Sequence, residues 1–290
     1  MLSPNARGAM LMMASMAAFT INDAFVKRTL DTLPLFQVIS IRGAMATTLI
    51  FLMAWRVGAL DFRLPRRDWT LIVLRSTCEI GATYFFLTAL SYMPLANVSA
   101  VLQVLPLTVT LGAALFFGEQ IGWRRTLAIG VGFCGVMLIL QPGTDAFNIY
   151  ALYALAAVLC VTLRDLTTRR MSGQVPSLTV TLIASTTVFV SATAASFTAP
   201  WVAMDLWQLA LIAGAACFII GGYHFSVAVM RVGEVSFVAP FRYTSLLWAL
   251  LLGWAIFGDW PGPLTMLGAA VVVTSGMFMF YRERVVSESE

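Results

Sequence analysis

The chain is a succession of apolar runs separated by short polar punctuation. The runs lie near residues 7–27, 33–56, 70–92, 96–117, 124–141, 147–168, 176–198, 205–229, 235–257 and 262–281. Crossing a bilayer as a helix takes roughly 20 apolar residues, which each run approaches or exceeds. The runs do not alternate apolar with polar, so helices and not a barrel are predicted. The longest polar stretch, about residues 57–69, is too short to hold a core of its own. The pattern predicts an all-α membrane protein of ten transmembrane helices. The first run is expected to remain as an anchor, because Asp23 and Lys27 sit where a signal-peptide cleavage site needs small neutral residues.

The pattern is also written twice. Tyr84-x-Phe86-x-x-Ala89 recurs as Tyr223-x-Phe225-x-x-Ala228, 139 positions later. Phe117-Gly118-Glu119 recurs as Phe257-Gly258-Asp259, 140 later. Asp23 with Lys27-Arg28 and Pro34 recurs as Asp165 with Arg169-Arg170 and Pro176, 142 later. Two five-helix units are therefore expected, residues 1–143 and 144–290. Five is odd, so the second unit enters the membrane from the opposite side. The result is an inverted-topology repeat, the construction of many carriers that work by alternating access. Duplication alone is also compatible with a channel.

Composition agrees and adds orientation. The chain is 60% hydrophobic and only 11% charged, against about a quarter charged in a soluble domain. Its net charge of +4 does not point to nucleic acid, because the cations mark loops. With the N-terminus inside, the inner segments hold twelve loop cations, from Arg7 to Arg284, and the outer loops only Lys27 and Arg28. That bias predicts both termini in the cytoplasm. The four cysteines have no metal-ligand spacing, and neither metal nor cofactor is expected. Trp123, Trp201, Trp207 and Trp260 fall near predicted span ends and suit the interfacial belt.

Charge inside the runs carries the functional signal. Arg42, Arg75, Arg164 and Arg242 lie within predicted spans, as do Asp23, Glu79 and Asp165. Each costs roughly 2.5–3.5 kcal/mol at the bilayer centre on insertion scales, so they must pair or line a wet cavity. Arg75 and Glu79 are four apart on one helical face. They form either a static ion pair or a cavity wall that a substrate competes for. Arg164 and Asp165 are adjacent, so they are expected to point in different directions; Arg164 either faces inward or snorkels to the interface. Gln103 and Arg242 correspond at an offset of 139, each near a proline, Pro106 or Pro240. Broken helices at mid-membrane are where carriers place their sites. Tyr84, Tyr223 and Tyr243 need hydroxyl partners and join the candidates. His224 stands as either a proton shuttle or a structural histidine. Glycines of the fifth and tenth runs, Gly130, Gly132, Gly135, Gly268 and Gly276, serve either a homodimer contact or packing within one chain.

The run Ala96-Asn97-Val98-Ser99-Ala100 with Pro106 and Gly118-Glu119, its echo Val235-Ser236-Phe237-Val238-Ala239-Pro240 with Gly258-Asp259, and Ile39-Ser40-Ile41-Arg42 resemble the EamA family of the drug/metabolite transporter superfamily. The resemblance covers nearly the whole chain. It implies a carrier of the bacterial inner membrane. Its central cavity would be lined by helices one, three, four, six, eight and nine, with the fifth and tenth peripheral. The number of buried charges departs from the family's minimal pattern and argues against a purely hydrophobic drug.

The expected function is secondary active transport of a small polar metabolite, anionic or zwitterionic, such as an organic acid, amino acid or vitamin. The sign rests on four intramembrane arginines against three acids. Arg42, Arg75, Glu79, Tyr84, Gln103, Tyr223, Arg242 and Tyr243 are the expected substrate-binding residues. Asp23, Asp165 and His224 are candidates for proton coupling or gating. Export of amphipathic compounds is the alternative. An intramembrane enzyme would need a catalytic constellation, and none of the familiar motifs is present. A channel would need acidic rings or a carbonyl filter, also absent. No G-x-x-x-x-G-K loop is present, so the energy source is expected to be a gradient.

Overall fold

The structure, a computed structural model, describes residues 4–119, 122–142, 148–172, 175–198, 200–232 and 235–287. The expected boundary at residues 143/144 lies outside these, as do the side chains of Arg231, Val235, Ser236, Arg282 and Arg284. Among the described residues, ten helical spans are long and apolar enough to cross a membrane. Six are single helices in sequence order: α1 Pro4–Leu30, α2 Leu35–Val57, α3 Arg66–Tyr92, then α6 Trp123–Leu140, α7 Tyr150–Arg169 and α8 Ser177–Ser196. α9 Leu206–Val232 and α12 Pro263–Ser287 are also unbroken. Prolines start several of them: Pro34, Pro65, Pro94 and Pro176 each stand immediately before a first turn, where the missing N–H costs nothing.

The fourth and ninth spans are broken, as their prolines predict. The fourth is α4 Leu95–Leu102 and α5 Leu105–Phe117, parted by a turn at Gln103 and Val104. The ninth runs from α10 Val235–Val238 through a 3₁₀ turn at Ala239–Tyr243 to α11 Thr244–Leu252, and ends in a π-helical turn at Gly253–Phe257. Both stop at the repeated Phe-Gly-acid motif. Gly118 and Gly258 each have φ +70°, the left-handed cap that only glycine adopts without strain. The repeat is thus a helix-stop signal.

The halves pack as though exchanged. α1 lies along α9, and α3, the counterpart of α9, lies along α7, the counterpart of α1. α2 meets α9 as α8 meets α3, and α1 meets α11 as α7 meets α5. α2–α8 and α6–α12 map onto themselves. α6 and α12 meet at glycines: a Cβ on Gly135 would come 2.8 Å from the Gly268 carbonyl, and one on Gly268 2.5 Å from the Gly135 carbonyl. Small residues here bring two backbones together within one chain.

Candidate substrate-binding site

The two broken spans are bonded to each other. Gln103 Nε2 donates to the Tyr243 carbonyl at 3.3 Å and to Ser245 Oγ at 3.0 Å. A carbonyl freed by the 3₁₀ turn finds its donor in the other broken span, and Gln103, 6% exposed, is used up there. Tyr243 is buried too, its hydroxyl without a hydrogen-bond partner and its ring edge-on to Phe280 in α12. Arg242 is exposed and borders a small cavity with Met12, Met16, Phe19, Ser226 and Val229. The structure therefore does not bring Gln103, Arg242 and Tyr243 together with the other candidates.

Those others converge. A central cavity of about 70 Å³ is lined by Arg42, Arg75, Glu79, Thr83, Thr181, Ser185 and Tyr223 on its polar side. Ile39, Ala46, Ile50, Ala184, Val188 and Ile219 form the apolar remainder. The walls come from α2, α3, α8 and α9, so the second and seventh spans contribute where the resemblance implied the first, fourth, sixth and ninth. Tyr84 lines an adjoining apolar cavity, stacked 5.9 Å from Phe36. The two cavities share Ile39, Thr83 and Val188. His224 is exposed, near Phe225, and outside the lining.

Behind the wall lies a network of charge. Glu79 sits between two arginines: Arg164 Nη1 reaches both its oxygens at 3.3 and 3.4 Å, and Arg75 Nη2 lies 3.8 Å away. Arg164 Nε also donates to Asp165 Oδ1 at 2.9 Å. This corrects the expectation that adjacent residues point apart. A long guanidinium turns back over its own helix and bonds its neighbour while reaching α3, and it does not snorkel. Arg75 Nε donates to Thr168 Oγ1 at 3.1 Å, and its Nη1 is buried with no hydrogen-bond partner. On the opposite wall Arg42 Nη1 donates to Asn22 Oδ1 at 3.2 Å, and Asn22 Nδ2 donates to Asp23 Oδ1 at 2.8 Å.

With Arg242 elsewhere, the arginine excess disappears. Arg42, Arg75 and Arg164 face Asp23, Glu79 and Asp165, three against three. The positive bias at the site is local: Arg164 holds Glu79 with two contacts, which leaves Arg75 the under-bonded cation. Asn22, Thr83, Thr168, Thr181 and Ser185 were missed by sequence reasoning. Only spacing could have flagged Asn22 and Thr168, each one helical step from a candidate. Lys27, assigned to an outer loop, is instead 8% exposed within the last turn of α1. Among the described residues no three His, Cys, Asp or Glu side chains gather in a way that could hold a metal.

Comparison with known proteins now fixes the family. The model of the EamA-like transporter family matches twice, at residues 6–141 and 148–281. The chain belongs to this family. Its relatives include a riboflavin transporter of Rhizobium johnstonii, 29% identical over 83% of this chain and 78% of that one. A pseudopaline exporter of Pseudomonas aeruginosa is 26% identical over 92% and 94%. An S-adenosylmethionine uptake transporter of Rickettsia prowazekii is 24% identical over 93% and 91%. A solved crystal structure at 19% identity matches with a TM-score of 0.65, covering 96% of this chain and 98% of that one, and shares the fold. EamA-like membership and these names make the chain a multi-pass membrane protein of a family of small-metabolite transporters.

Proposed function

We propose that this EamA-like chain is a secondary active transporter of a small polar metabolite that carries a carboxylate or similar oxyanion, alone or with a cationic group. One observation carries the reading. In the wall of the central cavity, Arg75 has a buried Nη1 without a partner and an Nη2 held only loosely by Glu79. A planar oxyanion would satisfy both nitrogens together, the geometry in which arginine binds most strongly. Glu79 and Tyr223 would then meet a cationic or hydroxyl group on the same solute. Arg42 would close the opposite wall. The apolar cavity beside Tyr84 would take a hydrocarbon or aromatic portion, which keeps an amphipathic solute within the reading.

The relatives are named for three different solutes and for both uptake and export, so neither substrate nor direction follows from the fold. Alternating access is supported by the twofold exchange of helix contacts, with units 1–143 and 144–290 as inverted repeats in a bacterial inner membrane and both termini cytoplasmic. Asp23 and Asp165, each bonded by the residue before it, would carry the coupling proton. His224 is exposed and stands outside the ion network around the cavity, so no coupling role is given to it. Purified protein in proteoliposomes, offered a panel of organic acids, amino acids and flavins, tests the reading. Arg75→Gln is expected to lower kcat/KM at least about a hundredfold for any solute moved, as for loss of a charge-assisted bidentate contact. Unchanged transport by Arg75→Gln would overturn the site.

A further inference from the structure

Lys27 belongs to no site described above, yet among the described residues it is the only Lys or Arg in the buried class. Its ammonium donates to the Leu90 carbonyl at 2.9 Å and the Met93 carbonyl at 2.8 Å. It also lies 5.4 Å from the centre of the Phe257 ring. The last carbonyls of a helix lack partners within it, and a cation there is favourable. Lys27 thus fastens the end of α1 to the ends of α3 and the ninth span.

The exchange of halves gives every one of these groups a counterpart at the opposite face. Lys27 corresponds to Arg169, Phe257 to Phe117, Asp259 to Glu119, and Leu90 and Met93 to Val229 and Val232. There the fastening is undone. The Arg169 side chain is 52% exposed and reaches Glu119 only at 3.7 Å. Arg170 covers the Phe117 ring in its place, 4.4 Å from the centre.

Other ties are alike at the two faces, so the difference is not general looseness. Gln37 exchanges two hydrogen bonds with the backbone of Val202, and its counterpart Thr179 bonds the backbone of Ala59 and Asp61. Gln208 bonds Thr32, and near the counterpart position Asp68 accepts from Ser172. What differs is the space beside the latch. Arg75, Thr168, Met171, Val180 and Thr181 line a vestibule that opens at the Arg169 face and shares Arg75 and Thr181 with the central cavity. The counterparts of the last four are Val26, Thr29, Val38 and Ile39, at most 3% exposed.

We infer that Lys27 latches a gate that is shut in this structure, that Arg169 is the released latch of the opposite gate, and that the two exchange states. In the exchanged state Arg169 leaves Glu119 for the backbone carbonyls of Val229 and Val232, the counterparts of Leu90 and Met93, and covers Phe117. Lys27 then leaves Leu90 and Met93, with Asp31 and Asp259 within electrostatic reach to receive it. The inference rests on the transporter reading for its purpose, but not for its test.

Hydrogen–deuterium exchange of the purified full chain, without added solute, reads both faces at once. Lys27→Met is expected to raise exchange about tenfold in segments 25–33 and 90–94, the loss of two charge-assisted bonds. The same variant is expected to lower exchange in segment 168–172, because the opposite gate closes. Lys27→Arg is expected to keep the wild-type pattern. Phe257→Leu, which removes only the ring under the ammonium, moves both faces in the Lys27→Met direction about threefold and serves if Lys27→Met does not fold. A rise at the first face without the fall at 168–172 makes Lys27 a local tie and overturns the latch, as does no change at either face. Failed transport with the coupled pattern intact would sink the proposed function and leave the latch standing.

Discussion

The α3–α7 and α1–α9 interfaces are the same contact in the two halves, made from opposite chemistry. In both, two helices run antiparallel, as Arg75–Thr168 and Glu79–Arg164 show for one and Ser15–Gly222 and Phe25–Phe218 for the other. The first holds Arg75, Glu79, Arg164 and Thr168; the second holds Gly214, Phe218, Asn22 and Val26 at the matching positions. Phe25 lies over Gly214 and meets Phe218 edge-on, ring centres 5.7 Å apart at 83°. One interface keeps charge at a wet cavity and the other excludes water with rings. Asp23 and Asp165 survive in both, each bonded by its preceding residue. The difference teaches that one helix arrangement can be built from unlike chemistry, an ion network between α3 and α7 and packed rings between α1 and α9.

Glu79→Gln would break this comparison hardest. The carboxylate is the shared acceptor of Arg75 and Arg164, whose side chains are 13% and 23% exposed. Its loss leaves two largely buried cations with Asp165 alone. Breaking such a pair costs about 3 kcal/mol at the low end, fitting for a wall that cavity water screens. Thermal unfolding in detergent should show the largest drop in Tm among the variants discussed, with transport lost. A Tm within a degree of wild type would mean the network adds nothing to holding α3 against α7.

Much of this architecture was legible in the chain, and its omissions have physical causes. The ten spans followed from run length, and the broken fourth and ninth spans from Pro106 and Pro240, because a proline's effect on its own helix is local. Arg75 and Glu79 were legible as a pair for the same reason: an i, i+4 spacing fixes a shared face. For Gln103, depth and a nearby proline are the only guides the sequence offers. Its true partners, Tyr243 and Ser245, lie 140 and 142 positions away and no local rule reaches them. Lys27 looked like a loop cation because sequence reasoning cannot tell a charge at a helix end facing water from one facing another helix's carbonyls. Arg242, on the 3₁₀ turn, borders a separate cavity with Met12 and Ser226, partners that no local rule reaches either.

Gly214→Ala would test the dry interface. A Cβ there would come 2.9 Å from Cε2 of the Phe25 ring. The ring must shift or the helices must part, an overpacking cost of about 2 kcal/mol. A fall in Tm is expected, together with water entry that shows as faster backbone exchange in segment 212–220. If stability is unchanged, the ring yields without cost and the seal is not a tightly packed one.

Thr168→Val makes the wet interface resemble the dry one at a single atom, since Val26 is its counterpart. Valine fills nearly the same volume, so no cavity follows. The hydroxyl's donation to the Arg164 carbonyl is lost at little cost, because that is a bond within the helix. What matters is the acceptor for Arg75 Nε, at 3.1 Å, which fixes the guanidinium plane in the cavity wall. Losing one neutral acceptor is worth about 1 kcal/mol, so Tm should move only slightly. A solute anchored on Nη1 and Nη2 should meet a less ordered arginine, and KM should rise about threefold to fivefold with kcat unchanged. A fall in kcat at constant KM would instead place Thr168 in the conformational step, and the wet interface would then be a moving part as well as a binding surface.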